Sequence, residues 1–142
     1  MITLMCWQAQ GRVLRVKVGG TGDGSSWEAA LGDLQHALGM ALPGDEIWVS
    51  SGIYLPTAGS DRYASFVIPS GVKLLGGFGG YETAVSQRDF ALNRTVLSGE
   101  IGSPNTDSDN SYTVVVTRMA TPDTHIDGFV ITTGTHTHAD LL

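Results

Sequence analysis

The acidic residues are the side chains of this sequence that could cleave a polysaccharide. Glycoside hydrolysis needs two carboxyl groups that flank the scissile bond, and elimination from a uronic acid needs a base assisted by a cation. Neighbouring predicted strands show no stacked pair of aspartates. The sequence therefore predicts no catalytic residues. The acids considered are Asp45, Glu46, Asp61, Asp89, Glu100, Asp109 and Asp127.

An acidic loop over residues 105–110 contains candidate metal ligands. Asp107, Asp109 and Asn110 place oxygen atoms at closely spaced positions, and calcium is bound by oxygen ligands. The loop lacks the glycine at the sixth position and the glutamate at the twelfth that helix-loop-helix calcium sites use. These three residues are a calcium candidate, and the alternative is a solvated corner loop. His136 and His138 lie in a predicted frayed tail, which favours no metal site there.

The glycine-rich run GGTGDGSS, residues 19–26, has the position of a phosphate-binding loop between a strand and a helix. No lysine follows its glycines, and Ser25 stands where a dinucleotide-binding pattern needs a third glycine. Asp23 would also repel a phosphate group. The run is therefore interpreted as a tight turn before a helix, and no cofactor is predicted.

Eight aromatic residues could form either a sugar-stacking surface or an internal core. Trp48, Phe66 and Phe129 fall in predicted strands, which favours stacking inside the fold. The three tyrosines among them, Tyr54, Tyr81 and Tyr112, lie beside turn residues and are predicted to be partly exposed. The remaining two aromatic residues are Phe78 and Phe90.

Composition limits the classes of partner. The 142 residues carry 14 acidic and 8 basic side chains, for a formal net charge of −6, so no basic stripe favours nucleic acid or an anionic membrane. No apolar run is long enough to span a bilayer. Cys6 is the single cysteine and cannot form an intramolecular disulfide. Few lysines with many Ser, Thr, Gly and Asn residues are common in secreted proteins.

Several elements are needed to position these side chains. Apolar and polar residues alternate over residues 13–18, which predicts a strand. Apolar residues recur every three or four positions from Trp27 to Leu42, which predicts a helix. Ser25 and Glu28 are the predicted capping box of this helix. Short β-rich runs follow, each bounded by Gly, Pro, Asn or Ser. They cover residues 46–51, 65–68, 72–78, 95–99, 112–117 and 126–132.

Several of these runs end in small residues followed by glycine, as in VSSG at residues 49–52 and ITTG at residues 131–134. Taking Val49, Leu74, Leu97 and Ile131 as equivalent gives separations of about 25, 23 and 34 residues. A repeat of this length without a helix favours a solenoid of parallel strands. An antiparallel sandwich is the alternative, but hairpin signals such as Asn-Gly are absent.

The ordered motifs resemble a known family. KVGGTGDGSSWEAALGDLQHAL, PGDEIWVSSGIYLPT, SFVIPSGVKLLGGFGGYET, LSGEIG, DNSY and IDGFVIT occur in the order found in the N-terminal part of bacterial right-handed parallel β-helix repeat proteins. These are pectin-lyase-like surface or secreted proteins, also described as polymorphic outer-membrane-protein-like. The resemblance covers about residues 16–134. It implies an all-β, right-handed parallel β-helix of about three to four coils with one N-terminal capping α-helix.

This resemblance implies a domain organisation. Residues 1–12 are expected to be disordered or the remnant of a leader, although no complete signal peptide is present. A strand and cap helix over residues 13–44, coils over 45–134 and a frayed tail over 135–142 would follow. The resemblance also implies further coils after Leu142 or a partner that covers the open C-terminal edge.

The expected function is that of a non-catalytic structural or adhesive module of a secreted or cell-surface bacterial protein. Its partner would be a polysaccharide or another surface protein, with no nucleic acid and no membrane span. The alternative is the N-terminal portion of a polysaccharide lyase or glycoside hydrolase whose catalytic coils are missing from this chain.

Overall fold

A computed structural model describes residues 11–133 of the chain. Within them, no helix is both long enough and apolar enough to cross a membrane. One α-helix and nine short strands occur in the order β1 Val13–Val16, α1 Leu34–Met40, β2 Glu46–Ser50, β3 Gly52–Tyr54, β4 Phe66–Ile68, β5 Lys73–Phe78, β6 Thr95–Ser98, β7 Val115–Thr117, β8 His125–Asp127 and β9 Val130–Thr132.

The strands form three small parallel sheets. The first has the order β1-β2-β5-β8, the second β3-β6-β9 and the third β4-β7. Along the first sheet Leu14, Ile47, Leu74 and Ile126 are successive register partners. Because alternate residues of a strand point to opposite faces, this row faces the core, and the residues on either side of it face outward.

Two apolar clusters stabilise the arrangement. The larger lies between the sheets and beneath α1, and Phe66, Leu74 and Leu97 are fully buried in it. The smaller covers the outward face of the first sheet, where Trp48 stacks on Phe78 with ring centroids 4.7 Å apart. Trp27 packs on the same phenyl ring at 5.6 Å. Part of the outer face is therefore buried.

The fold class predicted from the sequence, an all-β right-handed parallel β-helix of three to four coils, is wrong. The described residues form three separate small sheets and one helix, a mixed α/β arrangement in which no closed solenoid coil is present. The strands contain three to six residues, and long irregular connections over residues 55–65, 79–94 and 99–114 separate them. The repeat spacing reflects parallel pairing within each sheet, without continuous coils.

The predicted helix from Trp27 to Leu42 is wrong in its first half. The α-helix begins at Leu34, and the Asp33 carboxylate accepts the Gln35 N–H at its start. Ser25 does not cap it, since its N–H and hydroxyl both donate to Asp23, and these hydrogen bonds lower the pKa of the Asp23 carboxyl. Residues 20–32 instead fold back along β1, with Val16 bridged to Leu31.

Close backbone contact explains this folding-back. A side-chain Cβ at Gly32 would lie 2.2 Å from the Gly20 carbonyl oxygen, and one at Gly22 would lie 2.2 Å from the Ala29 carbonyl oxygen. Only glycine tolerates such an approach. The apolar spacing that predicts a helix therefore places Trp27 and Leu31 on two sides of a tight loop.

The predicted strand positions are confirmed, with two refinements. Each predicted run contains a strand, but the last run divides into β8 and β9, and β3 was not predicted. The four positions taken as equivalent lie in two sheets: Val49 and Leu74 in the first, and Leu97 paired with Ile131 in the second.

Candidate functional site

Exposed aromatic rings and an arginine form a cluster at one corner of the fold, which we call the tyrosine corner: Arg62, Tyr63 and Tyr112. The two tyrosine rings lie 5.1 Å apart between centroids and are tilted by 50°. The Arg62 guanidinium lies over the Tyr112 ring at 4.0 Å and donates a 2.9 Å hydrogen bond to the Tyr112 hydroxyl. Tyr63 is 83% exposed.

The pairing of β4 with β7 assembles this corner. Just before β4, the Arg62 carbonyl accepts the Tyr112 N–H at 2.9 Å, so the two segments run side by side before they become strands. Arg62 Nε also donates to the Asn110 carbonyl at 2.8 Å. The Asp61 carboxylate accepts the Tyr63 N–H at 3.0 Å and fixes the turn. Tyr63 is therefore presented from a well-bonded backbone.

The chemistry of the tyrosine corner suits a neutral or acidic sugar. Tyrosine has an apolar face and a polar hydroxyl, which makes it an effective contact residue where a ligand carries both kinds of surface. A pyranose ring has C–H groups on its faces and hydroxyls at its edge. The Arg62 guanidinium, which already donates to the Asn110 carbonyl and the Tyr112 hydroxyl, adds a positive charge that attracts hydroxyl or carboxylate oxygens.

A second surface, which we call the charged groove, lies on the outward face of the first sheet. It has a volume of about 360 Å³ and combines apolar residues with Glu46, Lys73, His125 and Asp127. Glu46, Lys73 and His125 are consecutive register partners across β2, β5 and β8. The groove therefore presents a carboxylate, an amine and an imidazole in one row.

The two carboxylates of the charged groove already have protein partners. Glu46 Oε1 accepts the Trp48 indole N–H at 2.9 Å, and Asp127 forms a 3.0 Å ion pair with Arg88. They lie on β2 and β8, two strand spacings or about 9.6 Å apart along the sheet, and on different rows. A retaining glycosidase holds its carboxyl groups at about 5 Å, so this backbone placement does not provide that geometry.

The acidic loop is bonded to its own backbone. The candidate ligand Asp109 accepts the Ser103 N–H at 2.7 Å, and Asp107 lies exposed in the same short 3-10 turn. Asn110 is 1% exposed, and its carbonyl accepts from Arg62. No group of three or more His, Cys, Asp or Glu side chains that could hold a metal occurs within residues 11–133. His136 and His138 lie outside the described residues.

Two other buried carboxylates hold the backbone together. Burial alone would raise the pKa of Glu82, but the N–H groups of Gly79, Gly80 and Tyr81 donate to its carboxylate at 2.6–3.0 Å and lower that pKa overall. Burial likewise opposes the ionised form of Asp45, yet hydrogen bonds from Leu42 and Arg12 lower its pKa. Both groups are structural anions.

The aromatic predictions are partly confirmed. Trp48 is 5% exposed and Phe66 is fully buried, although Trp48 lies in the outer cluster rather than between the sheets. Tyr81 and Tyr112 are exposed as predicted, but Tyr54 is buried, and its hydroxyl donates to the Ser50 carbonyl. Phe129 is half-buried and packs against the larger cluster.

Sequence reasoning did not identify Tyr63 or Arg62. They lie in a connection without periodicity, and Arg62 and Tyr112 are 50 residues apart in the chain. The signal that could have identified them is the run Asp61-Arg62-Tyr63, which places a charged pair and an aromatic residue in a turn.

Comparisons of the sequence with protein-family models, with curated proteins and with solved structures found no match.

Proposed function

We propose that this chain is a non-catalytic module of a secreted or cell-surface bacterial protein and that it contacts carbohydrate through the tyrosine corner. The observation that carries the proposal is the 83% exposure of Tyr63 on a corner where Tyr112 and Arg62 are fixed against each other. The proposed ligand is a polysaccharide, and a glycosylated surface protein would be recognised by the same chemistry.

The local energetics support this proposal. An exposed phenol gains little from folding, because most of its apolar surface stays in water. The neighbouring groups are nevertheless held by hydrogen bonds from Arg62 to Asn110 and to Tyr112. A sugar that stacks on Tyr63 would meet ordered partners, so little side-chain entropy would be lost on binding.

The proposed setting rests on the sequence. The low lysine content, the many Ser, Thr and Gly residues and the resemblance of the ordered motifs to pectin-lyase-like surface and secreted proteins all support a surface or secreted protein. Polysaccharides are abundant partners for such proteins. The proposed contact is made by two phenol rings and a guanidinium, none of which requires a metal ion.

Binding to a panel of neutral glycans and uronans tests the proposal. We expect the chain to bind at least one glycan and Tyr63→Ala to weaken that binding by roughly two- to thirteenfold, since aromatic contacts are worth about 0.5–1.5 kcal/mol. Tyr81→Ala is the matched control, because Tyr81 is 68% exposed and lies outside the tyrosine corner. EDTA should leave the affinity unchanged.

Three outcomes would contradict the proposal. The first is no binding to any glycan in the panel, and the second is an equal loss in Tyr63→Ala and Tyr81→Ala. The third is measurable cleavage of a uronan or neutral glycan by the chain, which would favour chemistry in the charged groove instead.

A further inference from the structure

A groove lies at the far end of the strand pair that forms the tyrosine corner, and we call it the arginine groove. It has a volume of about 490 Å³ and lies between α1 and β4, where β7 ends. Its lining includes Gly39, Val67, Pro69, Arg118 and Met119.

The arginine groove opens on the outward face of β4 and β7. Phe66 and Ile68 are fully buried, so Val67 between them faces outward. Its register partner on β7 is Val116, and Arg118 follows two residues later. Because alternate residues of a strand share a face, Val116 and Arg118 continue the outward side of this sheet.

The distance from the tyrosine corner to the arginine groove suits an extended ligand. Val67 follows Tyr63 by four residues, which is at most about 13 Å at the rise of a strand. Arg118 follows Tyr112 by six residues, at most about 20 Å, which is the length of roughly four linked pyranose units. One linear oligosaccharide can therefore contact both places.

Arg118 makes the arginine groove electropositive. Its side chain is exposed, and no carboxylate lines the groove among the residues that the structure describes. Within residues 11–133, the side-chain ion pairs involve Arg12 and Arg88, so no carboxylate neutralises Arg118 by direct contact. In a chain with a net charge of −6, such a groove attracts an anionic ligand more strongly than the surrounding surface does.

The wall of the arginine groove is held in place by hydrogen bonds. Gln35 Nε2 donates to the carbonyls of Pro56 and Ser65 at 2.8 Å and 2.9 Å, which fixes α1 beside the start of β4. Gly39 leaves space above the groove, since an added Cβ would meet no atom within 4 Å. A ligand would therefore meet a preformed surface and lose little affinity to the ordering of the protein.

We propose that the carbohydrate site extends from the tyrosine corner along the outward face of β4 and β7 to the arginine groove, and that its ligand is an acidic polysaccharide of at least four sugars. Tyr63 and Tyr112 contact sugar faces at one end, and the Arg118 guanidinium binds a sugar carboxylate at the other. This inference rests on the proposed function and adds the charge and the length of the ligand.

Affinities for three oligosaccharides test the extended site: a linear uronide of six sugars, the same uronide of two sugars, and the six-sugar compound with its carboxyl groups reduced to alcohols. We expect Arg118→Gln to weaken binding of the six-sugar uronide about two- to fivefold, because an exposed ion pair contributes modestly. Binding of the other two compounds should stay unchanged. Arg94→Gln is the matched control, since Arg94 is exposed, lies outside the groove and changes the net charge equally.

A steric variant tests the position of the site without changing its charge. Gly39→Trp places a large side chain at the groove, on a helix surface with open space. It should reduce the affinity for the six-sugar uronide to that for the two-sugar uronide. Far-UV circular dichroism of each variant checks that the fold is intact.

Several outcomes would overturn the extended site. Equal affinities of wild type for the two uronides, equal effects of the two arginine variants, or a Gly39→Trp variant that binds like wild type would do so while leaving the tyrosine corner in place. Equal dependence of the reduced compound on Arg118 would overturn the acidic ligand. Binding of neutral glycans alone would overturn the extension and retain the proposed function, whereas binding of no glycan at all would overturn both.

Discussion

The acidic residues of this chain act mainly on its own backbone. Glu82 accepts three consecutive N–H groups, and Asp45 joins the end of α1 to the segments that enter β1 and β2 through Arg12 and Leu42. A sequence shows that these residues are acidic, but it does not show which backbone groups will point at them. For this reason, sequence reasoning considered Asp45 as a candidate catalytic acid and left Glu82 out.

Glu82→Gln tests the structural role of these anions. We expect it to lower the free energy of unfolding at pH 7 by about 2 kcal/mol, because hydrogen bonds to a charged acceptor are worth roughly 1.5–3 kcal/mol. Since folding lowers the pKa of Glu82, its contribution is present above the ordinary carboxyl pKa, near 4, and is lost as the pH falls through the lower folded pKa.

Urea unfolding between pH 3 and pH 7 measures both effects. The variant should show a smaller loss of stability on acidification than the wild type. Glu28→Gln is the control, because Glu28 is exposed and should change stability by less than about 0.5 kcal/mol. Equal effects of the two substitutions at pH 7 would contradict the role of Glu82.

At the scale of elements, glycines decide where α1 begins. The apolar spacing from Trp27 onward is correct for a helix, and Leu34 and Leu38 do lie on its buried face. Gly32 interrupts it, because its backbone lies against Gly20 in the fold-back along β1. Periodicity records which residues are buried, whereas the close approach of two distant backbones is a tertiary feature that no local pattern contains.

Two alanine substitutions separate these effects. Gly32→Ala should destabilise the fold by about 2–3 kcal/mol, since the new Cβ would lie 2.2 Å from the Gly20 carbonyl oxygen. Gly39→Ala should stabilise it by about 0.5–1 kcal/mol, because Gly39 lies in α1 with no neighbouring atom within 4 Å of a new Cβ. Urea denaturation of both variants checks the difference, and a neutral Gly32→Ala would contradict the close packing.

At the scale of the whole molecule, the sequence predicts where strands lie better than which strands pair. Apolar runs between glycines and prolines located the strands, since each run is long enough to bury one side of a short strand. Their grouping into three sheets was missed, because Val49 and Ile131 look equivalent locally and belong to different sheets. The tyrosine corner was not predicted for the same reason, because it exists only where β4 pairs with β7.

The tyrosine corner is tested most directly by nuclear magnetic resonance of the labelled chain during titration with the best glycan from the panel. We predict that the amide and side-chain signals of Arg62, Tyr63 and Tyr112 shift in proportion to the bound fraction, while those of Lys73 and His125 stay unchanged. Shifts confined to the charged groove, or no saturable shift at the tyrosine corner, would contradict the account.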